Sequence, residues 1–162
     1  MIIRCTEKLS KKLKIDPITK VKRDPGPFLE WYANLFTANR AQYILVTEAK
    51  SLLSVIIYGR GVVDDNIFVS RFLSFLREYL DEKSNRIIFE RIIGPNSAQI
   101  TMSKTVSKSI LGSMNDMVSM SKFISQREDV SPMYLTEYIN RTPFKVIDYK
   151  SPLEAFGNLR VR

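Results

Sequence analysis

The sequence predicts a single α+β domain over residues 1–162, built on a mostly antiparallel sheet with three to five helices. Three observations carry this reading. Residues 66–83 repeat apolar side chains at intervals of three and four, from Ile67 and Phe68 through Phe72, Phe75, Leu76, Tyr79 and Leu80, the period of one helix face. Residues 42–47 and 52–58 are apolar, β-branched runs joined by Glu48-Ala49-Lys50-Ser51, the pattern of an antiparallel hairpin covered on both faces. No internal repeat, low-complexity tract or linker divides the 162 residues.

Ile2, Ile3 and Cys5 form a short apolar run that reads as an edge strand. Thr6 is placed to cap a helix, Glu7 supplies an acid to its first turn, and Leu9 and Leu13 form a narrow apolar seam among lysines. Asp16-Pro17 ends that helix and Asp24-Pro25-Gly26-Pro27 makes a loop. The aromatic stretch Phe28–Phe36 reads as a helix with Phe28, Trp31, Tyr32, Leu35 and Phe36 on one broad face. After the hairpin, which Gly59-Arg60-Gly61 closes, Asp64 and Asp65 are cap candidates for the helix over 66–83. Arg86–Ile93 reads as a strand, Gly94-Pro95-Asn96-Ser97 as a turn and Gln99–Met102 as another strand. Residues 104–125 form a second long helix interrupted by Gly112, which weakens it by about 1 kcal/mol against alanine. Ser131-Pro132 and Ser151-Pro152 each pair a good N-cap with a good first helical residue.

Composition excludes several chemistries. With no histidine, Ser-His-Asp and Cys-His catalysis, His-ligated metals and histidine pH switching are absent. A lone Cys5 removes all-cysteine zinc and iron–sulfur sites, cannot form an internal disulfide and fits a reducing cytoplasm. No run reaches the ~20 apolar residues of a membrane span, and the N-terminus lacks the pattern of a signal peptide. The net charge of +8 is uneven: residues 1–24 hold eight bases against three acids, residues 25–100 eight against eight, and residues 101–162 nine against six.

A basic end points to phosphate contacts. The candidate nucleic-acid-binding residues are Arg4, Lys8, Lys11, Lys12 and Lys14, extended by Lys104 and Lys108. Lys104-Thr105-Val106-Ser107-Lys108-Ser109 also stands at a predicted helix N-terminus, where free N–H groups favour anions, but it lacks the glycines of a phosphate loop. Trp31, Tyr32 and Phe36 before Asn39-Arg40 resemble a base-stacking platform, although an ordinary core helix is the far commoner source of such a stripe. Glu48-Ala49-Lys50 weakly matches the carboxylate–lysine pair of metal-dependent nucleases and reads better as a turn. Asn115 and Asp116 in mid-helix require a reason. Either they belong to a buried hydrogen-bond network or they form a polar pocket with Asn34, Arg40, Ser109 and Ser113, the candidate ligand-binding set. No catalytic residue, cofactor or metal ligand is assigned.

Several stretches together resemble an uncharacterised bacterial family of small single-domain proteins. They are Ile3-Arg4-Cys5-Thr6-Glu7-Lys8-Leu9 with Lys11-Lys12-Leu13, Trp31-Tyr32-Ala33-Asn34-Leu35 with Arg40, Lys108-Ser109-Ile110-Leu111-Gly112-Ser113-Met114-Asn115-Asp116, Asn140-Arg141-Thr142-Pro143 and Tyr149-Lys150-Ser151-Pro152-Leu153-Glu154-Ala155-Phe156. The resemblance implies a setting near mobile-element genes and no assigned activity. The tail alone is similar to the end of integrase-type transposases, without their acidic triad.

The expectation is a non-enzymatic cytoplasmic protein, not membrane-bound, that binds a macromolecular partner, foremost nucleic acid through the basic N-terminal helix. The alternatives are a small-ligand-binding protein or enzyme using the Asn115/Asp116 pocket, and an accessory such as an antitoxin or phage-defence component that docks on an acidic protein.

Overall fold

Five strands form one mixed sheet in the order β4-β3-β2-β1-β5, namely β1 (Ile2–Cys5), β2 (Glu30–Ala38), β3 (Ala41–Glu48), β4 (Ser54–Tyr58) and β5 (Thr101–Lys104). The computed structural model describes residues 1–18, 21, 23–127 and 129–160. The two pairings within the 30–58 region are antiparallel and carry most of the paired residues, but β1 lies parallel to both β2 and β5, so the sheet is mixed rather than purely antiparallel.

β1 is an inner strand, not an edge. Ile3 pairs with Trp31 on one side and Met102 on the other, and all four of its residues are buried. Residues 28–36 are also not helical. In β2, Trp31, Ala33 and Leu35 enter one core while Tyr32 and Phe36 enter the other. A strand covered on both faces needs apolar side chains at every position, which hides its two-residue period. Asn39 and Arg40, at φ 45° and 64°, make the tight turn into β3. The β3–β4 hairpin is as expected.

The helices form two layers. Over one face lie α1 (Glu7–Leu13), α2 (Asp65–Glu82), the irregular helical run at 86–96 and α7 (Pro152–Asn158). Over the other lie α5 (Lys108–Arg127) and α6 (Pro132–Arg141). Thr6, Asp64, Ser131 and Ser151 each accept a backbone N–H as N-cap, as their positions predict. Arg86–Ile93, predicted as a strand, is helical: α3 (Arg86–Ile88), a π-helical turn (Phe89–Ile93) and α4 (Gly94–Asn96) follow without a break. Ile88, Phe89, Ile92 and Ile93 face the first core at helical spacing, and Arg86 pairs with Glu90 four residues on at 2.6 Å. Both signals were present in the sequence, where the β-branched composition outweighed them.

Two buried polar arrangements fix the sheet. The side-chain amide of Asn140 on α6 accepts from the Ser54 N–H at 2.9 Å and donates to the Ser54 carbonyl at 2.7 Å, and Thr136 accepts from the Ile56 N–H at 2.9 Å. α6 thus stands in for a sixth strand along half of β4, which explains Asn140 in the Asn-Arg-Thr-Pro segment. At the far end of β3, the buried Glu48 carboxylate accepts from the backbone N–H groups of Phe28, Lys50 and Ser51 and from the Ser51 hydroxyl. Burial pushes its carboxyl above the usual range, against the pull of those donors. The Glu-Ala-Lys segment is therefore a turn organiser, as the turn reading had it.

Candidate functional site

Because β1, β2, β4 and β5 run the same way, their carboxyl ends meet at one end of the sheet, and α1, α2 and α5 start there. This is the end at which ligands approach open α/β sheets, and where helix dipoles turn their positive ends outward. It carries Lys8, Lys11 and Lys12 on α1, Arg40 in the β2–β3 turn, Arg60 after β4, Lys104 at the end of β5 and Lys108 opening α5. The acids at the same end include Glu7, Asp16, Asp64 and Asp65.

Lys8, Lys11, Lys104 and Lys108 are exposed. Lys11 and Lys104 line one cleft of about 460 Å³ together with Cys5, Glu7, Ser10 and Asp16. Lys11 pairs with Glu7 at 2.9 Å, and with Lys104 nearby it holds that carboxyl below its usual range. Lys12 donates to the Gln42 side chain at 2.9 Å. Lys14 caps the other end of α1 in the left-handed conformation, so it stands apart from this group. Lys20 and Lys22, counted in the basic N-terminal segment, lie outside the described residues.

Arg4 must be removed from the phosphate-binding set. It is 1% exposed, its guanidinium pairs with Glu30, and it donates to the Val21 carbonyl at 2.7 Å and to the Ser103 hydroxyl at 3.3 Å. It also lies over the Tyr32 ring at 5.9 Å. An inner strand gives an outward phosphate no access to this side chain.

The polar pocket around Asn115 and Asp116 is not formed. Both side chains are exposed on α5, so neither the buried network nor the enclosed site exists there. Ser113 is buried and its hydroxyl donates to the Ser109 carbonyl one turn back, at 3.2 Å. Ser109 is exposed on the same helix, and Asn34 accepts from the Thr6 hydroxyl at 2.9 Å beside the end of β1. Arg40 stands alone in its turn. Trp31, Tyr32 and Phe36 are core residues, so these three offer no outward stacking platform.

Cys5 closes the inner wall of the Lys11/Lys104 cleft, but burial and the nearby Asp65 push its thiol up to about 12. We expect native Cys5 to react with a disulfide reagent on the order of a thousandfold more slowly than in denaturant, the ratio of the thiolate fractions. Comparable rates in the two conditions would show an open, ionisable thiol instead.

Sequence reasoning passed over Arg60 and Arg71. Arg71, on α2, donates to the carbonyls of Tyr58 at 3.0 Å and Arg60 at 2.7 Å. Among the described residues no group of three or more Cys, Asp or Glu side chains is close enough to hold a metal ion, and no helix is long and apolar enough to cross a membrane.

Comparison with known proteins places the chain in a family: it belongs to the Domain of unknown function (DUF6933), whose family model matches residues 2–155. The match bears out the resemblance to an uncharacterised family of small proteins. No curated protein and no solved structure matches the chain.

Proposed function

We propose that the protein acts by contact rather than catalysis, binding nucleic acid through the basic end of its sheet in the cytoplasm. The observation that supports this is the gathering of Lys8, Lys11, Lys12, Arg40, Lys104 and Lys108 around the carboxyl ends of the strands, beside the starts of α2 and α5. Cations carried on separate elements give phosphate contacts without base readout, so the expected binding is sequence-tolerant and salt-sensitive.

The test is anisotropy of fluorescein-labelled single- and double-stranded oligonucleotides, DNA and RNA, across a salt series. Lys8→Glu, Lys11→Glu, Lys104→Glu and Lys108→Glu combined should lower affinity by at least about tenfold and flatten the salt slope by about one unit for each phosphate no longer neutralised. All four side chains are exposed, so the fold is retained. Affinity and slope unchanged by the four reversals would sink the proposal. If fluorescein-labelled polyglutamate binds while no oligonucleotide does, the nucleic-acid reading is overturned and the same end takes an acidic protein instead.

A further inference from the structure

A second feature of the same molecule lies at the open edge of β4. Gly59 donates to the Gln42 carbonyl and Glu48 to the Leu53 carbonyl, so residues 53, 55, 57 and 59 face β3 and residues 54, 56 and 58 turn their peptide groups outward. Of these outward groups, Asn140 takes both of Ser54's, Thr136 takes the Ile56 N–H, and Arg71 takes the Tyr58 carbonyl. Among the described residues, the Ile56 carbonyl and the Tyr58 N–H are left without a partner.

That pair has a direction. An antiparallel neighbour could meet both only through two of its residues, each then turning its other polar group toward a β4 group already taken by Thr136 or Arg71. A parallel neighbour bonds instead to the carbonyl of one residue and the N–H two residues on, which is the open pair. A groove of about 680 Å³ opens at this register, with Ile57, Phe75, Pro132 and Met133 as apolar lining, Arg60 and Arg71 as its two bases and Glu78, two helical turns beyond Arg71, as its acid.

In a parallel ladder, the residue in register with Ile57 points its side chain as Ile57 does, toward α2, where Phe75 waits. The residue two further on lies one helical turn nearer the start of α2, at Arg71. Arg71 is held by two neutral carbonyls and, among the described residues, forms no ion pair, even with Glu78 of the same groove, so its remaining N–H groups and charge are available to an anion.

We propose that this groove docks an extended segment of a partner polypeptide, parallel to β4, carrying an apolar residue and, two positions later, an aspartate or glutamate. The apolar side chain fills the space against Phe75 and Met133, the N–H of the same residue donates to the Ile56 carbonyl while its carbonyl accepts from the Tyr58 N–H, and the carboxylate meets Arg71 and Arg60. This is strand addition at a sheet edge, with side-chain pockets supplying the specificity.

The probe is an end-blocked, fluorescein-labelled peptide with a single Leu-Thr-Glu core in a serine–threonine background. Anisotropy should show saturable binding, at least about tenfold weaker for the Leu-Thr-Gln peptide and for Arg71→Gln. The Tyr58 amide should exchange its hydrogen more slowly in the complex. Because Arg71 also braces the 58–60 turn, the peptide's own Glu-to-Gln change is the arm that no folding defect can imitate. Absence of saturable binding, equal affinity for the glutamine peptide, or an unchanged Tyr58 amide would each overturn the proposal. The four lysine reversals at the other surface should leave peptide binding intact, so the two proposals fail separately; loss of peptide binding in that variant would assign the peptide to the lysines and also overturn this one.

Discussion

Arg4→Ala is expected to destabilise the protein by about 4 kcal/mol, because it leaves the mostly buried Glu30 carboxylate without its cation. For a chain of this size that loss lowers the melting temperature by roughly 8–16 °C. The guanidinium joins groups that no other side chain could serve together. One planar fork reaches Glu30, the Val21 carbonyl, the Ser103 hydroxyl and, at 3.4 Å, the Lys104 carbonyl, which lie on β2, the segment after α1 and β5. Arg4→Lys offers a single ammonium that cannot reach all of them, so it should recover only part of the loss. Replacing both charges, as Arg4→Met with Glu30→Leu, should recover most of it, since an apolar pair escapes the desolvation that the ion pair bears. Urea denaturation of the four proteins measures this directly. An Arg4→Ala variant with unchanged stability but weakened nucleic-acid binding would return Arg4 to the phosphate contacts the sequence assigned it.

Arg4 shows why the fold was more legible than the site. The α+β class, the β3–β4 hairpin, α2, the caps at Thr6, Ser131 and Ser151 and the presence of β1 all follow from local signals, which is where single-sequence reasoning is strongest. Position in the sheet is not local. Ile2–Cys5 looks alike whether paired on one side or two, and the second pairing, with Thr101–Lys104, reaches across about a hundred residues. Once β1 is internal, the one base within it cannot be a surface contact. The same blindness turned Phe28–Phe36 into a helix, because burial on both faces erases the period that marks a strand. It placed Asn115 and Asp116 in a core from which α5 turns them away. The lysines of α1 fared better, since an exposed face on an amphipathic helix is a local property. Arg60 and Arg71 went unnoticed because their meaning depends on the edge of β4, which no stretch of sequence displays.

Glu48→Ala should cost about 4 kcal/mol by a different route. No cation is removed; instead three backbone N–H groups and the Ser51 hydroxyl lose their common acceptor inside the protein. Two residues held nearby at positive φ, Phe28 at 69° and Leu52 at 62°, lose the group that anchors their segments. The damage spreads through Phe28, whose ring meets Phe156 of α7 edge-on at 4.9 Å and whose carbonyl accepts from the Trp31 indole at 2.9 Å. Trp31 fluorescence should therefore shift before global unfolding. Glu48→Gln keeps the shape but sets an N–H against one of these donors, and should cost about 2 kcal/mol near neutral pH. The sign of its pH dependence follows from burial. A carboxyl whose folded value is raised binds its proton more tightly when folded, so it adds stability below its unfolded value, and that contribution is lost as pH rises through the folded one. Glutamine lacks this contribution, so the penalty of Glu48→Gln should be largest at about pH 4, the unfolded carboxyl range, and shrink toward neutrality. A penalty that grew with pH would mean that the four donors, and not burial, govern the carboxylate.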